Sequence, residues 1–136
     1  MAVFNRFNIF SEDLAEKVHD LNADTIRIYL SNAAPDAAAD AVKADLAEIA
    51  TGNGYTGAVD TQNATSRAGL VTSVTGVDVV VTATGAVGPF RYVVLYNDTP
   101  TSPADPLIGW WDYGSSISLA NGETFTTDFG SSMFTI

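Results

Sequence analysis

Two runs decide the fold: Phe90-Arg91-Tyr92-Val93-Val94-Leu95-Tyr96-Asn97 and Leu107-Ile108-Gly109-Trp110-Trp111-Asp112-Tyr113. Both are rich in the β-branched and aromatic residues that suit a pleated, half-buried surface. The 98–106 loop between them holds Pro100, Pro103 and Pro106. Adjacent tryptophans on a strand point to opposite faces, so both belong to a core only if both faces are covered. Two readings follow. One tryptophan fills the core while the other meets a neighbouring sheet or subunit, aromatics being favoured at interface hot spots. Alternatively, the strand is central and sandwiched within its own domain.

Outward from these runs, everything after Gly54 reads as β-structure, with further strands over 68–75, 77–84, 115–119, 123–129 and 132–136. Gly76, the 85–89 segment, Gly114 and Asn121-Gly122 separate them, and Asn-Gly between alternating runs is a strong hairpin signal. Closely spaced strands with short turns predict an antiparallel β-sandwich or small barrel. Upstream, Thr25–Leu30 alternates, with Ile26, Ile28 and Leu30 on one face of a half-buried strand. Ser11-Glu12-Asp13 looks like a helix start, and Leu14, Val18 and Leu21 form one apolar stripe over 11–21. The alanine-rich stretch 36–50, with Val42, Leu46 and Ile49 in helical spacing, predicts a second helix ended by Gly52-Asn53-Gly54. The expectation is a mainly β chain with two short N-terminal helices (α+β). Residues 1–10 read as an extended arm or edge strand, and 11–136 as a single β-rich domain.

Composition narrows the function. The 136 residues carry 6 Lys+Arg against 16 Asp+Glu, a net charge of −10. Six scattered cations supply no basic patch, which argues against nucleic acid and against anionic membrane as partners. Charged residues are only 16%, below the ~25% typical of soluble domains, which leaves surface for another protein. No cysteine is present, so disulfides and thiol chemistry drop out. No apolar run reaches about 18 residues. The N-terminus lacks the continuous apolar stretch of a signal peptide, so the chain reads as mature.

No motif points to catalysis, a metal or a cofactor. Gly52-Asn53-Gly54-Tyr55-Thr56-Gly57 matches G-x-G-x-x-G, but it precedes β-structure instead of opening a helix, so it reads as a loop. His19, the single histidine, reads as a solvent-facing helical residue. Asp36 and Asp40 lie one helical turn apart, and Asp45 and Glu48 share that segment; a helical acidic face is usually solvated, and no EF-hand spacing is present. Ser115-Ser116 and Ser131-Ser132 lack a nucleophile elbow. Asn63-Ala64-Thr65 and Asn97-Asp98-Thr99 fit the glycosylation pattern but carry little weight without a secretory signal. The chain reads as a non-enzyme.

Several strings resemble small structural proteins of tailed bacteriophages. They are Ile28–Pro35, Val42–Thr56, Gly88–Thr99, Asp105–Gly114 and Asn121–Phe129, which together cover most of residues 25–130. The resemblance implies a multicopy, non-enzymatic virion protein. Its preferred member is a capsid decoration (cement) protein that binds the major capsid protein on the capsid surface and assembles with itself as a homotrimer. Within that reading, Phe4, Phe7, Ile9 and Phe10 of the arm and Trp110, Trp111 and Tyr113 of the strand are the expected assembly contacts. Removing residues 2–10 is then expected to leave a folded domain that no longer assembles. Alternatives are a tail or head-fibre associated protein, and a carbohydrate-binding β-sandwich in which an exposed tryptophan stacks on sugar rings. A small hydrolase using Asp36, Asp40, Asp105 or Asp112 is the remaining class.

Overall fold

A computed structural model describes residues 2–136, and these form a mainly β, wholly antiparallel architecture. In chain order the strands are β1 (Phe4–Arg6), β2 (Ile26–Ser31), β3 (Val59–Asp60), β4 (Ala64–Ala68), β5 (Val71–Thr75), β6 (Val79–Thr82), β7 (Val87–Asn97), β8 (Leu107–Leu119), β9 (Thr124–Thr127) and β10 (Phe134–Thr135). One α-helix, α1, spans Asn8–Ala15. A five-stranded sheet runs β1-β8-β7-β2-β3, beside a three-stranded sheet β10-β5-β4 and a two-stranded sheet β6-β9. The sheets do not close into a barrel.

Both faces of the large sheet are covered. Ile26, Ile28, Leu30, Val93, Leu95 and Ile108 pack from one face against Val74, Val79, Val81, Phe129 and Phe134 of the smaller sheets and the C-terminal segment. The alternate residues Tyr29, Tyr92, Val94, Tyr96 and Leu107 meet Phe7 and Leu46 on the other face. Trp110 and Trp111 therefore fall on opposite sides within one domain, each half-buried. The strand pair β7–β8 carries the sheet, with Val93 opposite Trp111 and Val94 opposite Trp110.

Of the two readings of the N-terminal segment, arm or edge strand, Phe4–Arg6 form the edge strand. β1 pairs with β8, placing Phe4 opposite Trp111 and Asn5 opposite Trp110. Phe7 and Phe10 are fully buried in the chain's own core, where they replace water with packed aromatic neighbours. The helix expected over 11–21 starts earlier, at Asn8, directly after the edge strand. It stops at Ala15 because Lys17 turns left-handed (φ 65°). The Val18 N–H then reaches back to the Asp13 carbonyl, and the Lys17 N–H to that of Leu14. That is a Schellman closure with lysine where glycine is usual.

The expected helix over 36–50 is absent; a single 3-10 turn at Lys43–Asp45 is the only helical piece there. Aspartates divert the backbone. Asp36 Oδ1 accepts the N–H groups of Ala38 and Ala39, and the Asp36 N–H donates to Asp40 Oδ2. Asp45 Oδ2 accepts those of Ala41 and Val42. Short side-chain acceptors compete with helical bonding in this way. The rest of the stretch is strapped onto β2. The Ile49 N–H donates to the Leu30 carbonyl, Tyr29 Oη to that of Leu46, and Ser31 Oγ to that of Ala47. Sheet contacts thereby outweigh alanine's helix propensity.

Two strand expectations also change. Residues 68–75 are the end of β4, a turn and β5: Gly69 (φ 61°) and Leu70 form a two-residue hairpin loop with glycine first, as a type II′ turn requires. Asn121-Gly122 is a turn but joins no hairpin, since β8 belongs to the large sheet and β9 pairs with β6. Conversely, 107–113 and 115–119 are one strand running through Gly114.

A groove beside the tryptophan strand

The candidate site grows from an irregularity in the β7–β8 ladder. Tyr92 pairs with Asp112 and Phe90 with Ile117, so one residue of β7 spans four of β8. The surplus, Tyr113-Gly114-Ser115-Ser116, swings outward as a wide bulge. Bulges of this kind re-aim side chains. Arg91 holds its base through two bonds to the Asp112 carboxylate, Nε–Oδ1 at 2.8 Å and Nη2–Oδ2 at 3.1 Å. Asp112 Oδ1 also accepts the Gly114 N–H at 2.8 Å, where Gly114 adopts φ 102°. Ser116 Oγ donates to Asn32 Oδ1 and ties the far end. The Arg91 guanidinium, and secondarily the Gly114 amide, hold the Asp112 carboxyl below the usual carboxylate range.

This bulge lifts Tyr113 to one wall of an open groove of about 190 Å³. Ala2, Val93, Trp111, Phe125 and Thr126–Asp128 complete its lining. Tyr113 lies 5.8 Å from Phe125, and Phe125 meets Phe90 edge-on at 4.9 Å. Trp111 is braced from below by Phe4 at 5.1 Å and Phe129 at 5.6 Å. The groove is thus an aromatic trough on a rigid support, with hydroxyls and one carboxylate, Asp128, on its rim.

Of the expected contact residues, the structure brings Trp111 and Tyr113 together here, with Phe4 beneath them. Trp110 faces the other side of the sheet against Phe7, at 4.7 Å. Phe7 and Phe10 are sealed in the core, so no partner reaches them while the fold is intact. Ile9 packs at the edge of the second core cluster. Sequence reading missed Phe125; its signal was a lone aromatic among the threonines of Thr124-Phe125-Thr126-Thr127.

The other flagged groups have structural work. His19 is buried, not solvent-facing, and lies beyond the helix. Asn97 Oδ1 accepts the Thr99 N–H and its amide nitrogen donates to Asp24 Oδ2 at 2.7 Å, which orients that nitrogen toward His19 Nδ1 at 3.0 Å. Nδ1 is therefore the acceptor and Nε2 carries the proton, buried without a partner. Burial lowers the His19 pKa to about 4, with the nearby Asp24 carboxylate acting the other way. The glycine loop 52–57 inserts Tyr55 into the core, where Oη accepts the Leu30 N–H and donates to Glu48. Burial first and the Glu48 bond second raise the Tyr55 pKa. Glu48 in turn binds Lys43 at 2.8 Å. Asn63 of the first glycosylation pattern spends its amide on the Leu21 and Asp24 carbonyls and the Ile26 N–H. Among the described residues no cluster of three or more His, Asp or Glu is arranged to hold a metal.

Comparison of the chain with protein-family models, curated proteins and solved structures finds no match.

Proposed function

We propose that this chain is a non-enzymatic virion structural protein of the tailed-bacteriophage type, a capsid decoration protein that binds the major capsid protein as a homo-oligomer. The observation that carries the reading is the aromatic groove. Tyr113, raised on a bulge pinned through Arg91–Asp112, lies beside Trp111 and Phe125, and aromatic troughs of this kind suit protein contacts. The acidic, low-charge composition and the phage-like strings agree with it. Many identical copies on a shell let each modest contact count through avidity. The test is co-sedimentation of the full chain with empty heads assembled from the capsid protein of the phage that encodes it. Saturable pelleting with the heads supports the reading, and recovery of all the chain in the supernatant at excess heads overturns it.

A carbohydrate-binding module is the second reading, favoured by one detail: Asp128 and the threonine hydroxyls rim the same aromatic trough. Titration of Trp111 fluorescence with soluble oligosaccharides separates the two.

A further inference from the structure

The β4–β5 hairpin is the converse of the groove. Its strands are exposed on nearly every residue beyond the part of β5 paired with β10. At its tip Leu70 is 101% exposed, with Val71 and Ile136 exposed nearby. A large aliphatic residue at the head of a rigid two-residue turn costs little entropy to dock, because the turn is already ordered.

Charge follows the same complementarity. Three of the six cations are paired within the chain: Arg27 with Asp98, Lys43 with Glu48 and Arg91 with Asp112. Arg67 pairs with no carboxylate among the described residues, and its Nη1 wraps onto the Gly69 carbonyl at the hairpin tip. The tip thus presents one apolar knob beside one cation. The groove presents one aromatic trough beside one anion, Asp128.

We propose that the groove receives the hairpin tip of a second copy of this chain, with Leu70 packed against Trp111, Tyr113 and Phe125 and Arg67 facing Asp128. Knob and trough are different patches, so the contact is head-to-tail. The inference rests on the homo-oligomer of the reading above and is independent of any shell.

Light scattering of the full chain, with no heads present, tests it. The expected mass is a multiple of the 14.3 kDa monomer. Leu70→Asp, at a fully exposed site, is expected to weaken self-association by about thirtyfold, the level of an interface hot spot, while the melting temperature of the monomer holds. Arg67→Glu and Asp128→Lys are each expected to weaken assembly, and the two together to restore it. A wild-type mass of one monomer at every concentration overturns the contact, as does a Leu70→Asp variant that keeps the wild-type mass. Sugar binding lost in Tyr113→Ala with assembly unchanged also overturns it. Pelleting with heads by a chain that stays monomeric in solution leaves capsid binding standing and removes this contact alone.

Discussion

Phe4 and Phe134, near the two ends of the chain, stack face to face with ring centroids 4.8 Å apart and planes 12° from parallel. The N-terminal segment is thereby welded into the same core as the C-terminal strand. Phe4→Ala is expected to cost about 2 kcal/mol, less than a fully buried phenylalanine because Phe4 is half-buried. Deleting residues 2–10 also removes Phe7 and Phe10, each worth about 3–5 kcal/mol. That sum reaches the whole stability of an ordinary domain, about 5–15 kcal/mol. The truncated chain is expected to be unfolded, read by urea denaturation and circular dichroism.

Gly54 and Gly52 offer a matched contrast in the loop that delivers Tyr55. Both have positive φ, 96° and 124°. A methyl on Gly54 would overlap the Thr82 carbonyl oxygen, whereas one on Gly52 meets open space. Gly52→Ala is expected to cost about 1 kcal/mol of backbone strain and Gly54→Ala about 3 kcal/mol or more. Equal losses in denaturant midpoints would show that strain alone matters.

His19 sets a pH dependence. Its folded pKa of about 4 lies below the unfolded 6.5, so the unfolded chain takes up a proton that the folded chain refuses. Stability is full above pH 6.5 and falls by about 3 kcal/mol as pH drops towards 4. Asp13, whose carboxyl is raised chiefly by burial and then by Glu12 and Glu16, works in the opposite direction near the bottom of that window. His19→Phe is expected to flatten the slope between pH 6.5 and 4; an unchanged slope assigns it to other groups.

Asp112 acts in the same direction as His19, in a more acidic range. Its lowered folded pKa means its contribution is present above the unfolded value near 3.8 and lost as pH falls through the folded value. At neutral pH the bulge is therefore insensitive to acidity. Asp112→Ala is expected to strip the Gly114 amide of its hydrogen-exchange protection without shifting the melting temperature much, since the ion pair is well exposed.

How much was legible in the sequence follows from where the bonds go. The alternation of Ile26, Ile28 and Leu30 marks a strand, and β2 is that strand, but it is buried on both faces because Tyr29 and Ser31 are covered as well. The adjacent tryptophans left open whether the strand's second face meets a subunit or its own domain, and the large sheet has both faces covered within the chain. The segment 36–50 misled because alanine propensity is local, whereas Tyr29, Ser31 and Leu30 claim its backbone from another element. A repeated pattern was available: Asp20-x-x-x-Asp24 and Asp36-x-x-x-Asp40 make the same closed turn. In each, the first carboxylate accepts two following N–H groups and the second caps the first residue's N–H. Of the site, Trp111 and Tyr113 could be read. Phe125 could not, because nothing local tells that β9 crosses to the strand bearing them.

The pairing of β1 with β8 also dictates an order of events during synthesis. Asn5 lies opposite Trp110, so nearly the whole chain separates one rung of the ladder from its mate. A nascent chain releases Phe4, Phe7 and Phe10 well before β8 and can shelter them only after β8 has emerged. Contacts this distant in sequence close late and slowly. Those three rings consequently wait through the synthesis of every element from β2 to β7 before they join a finished core.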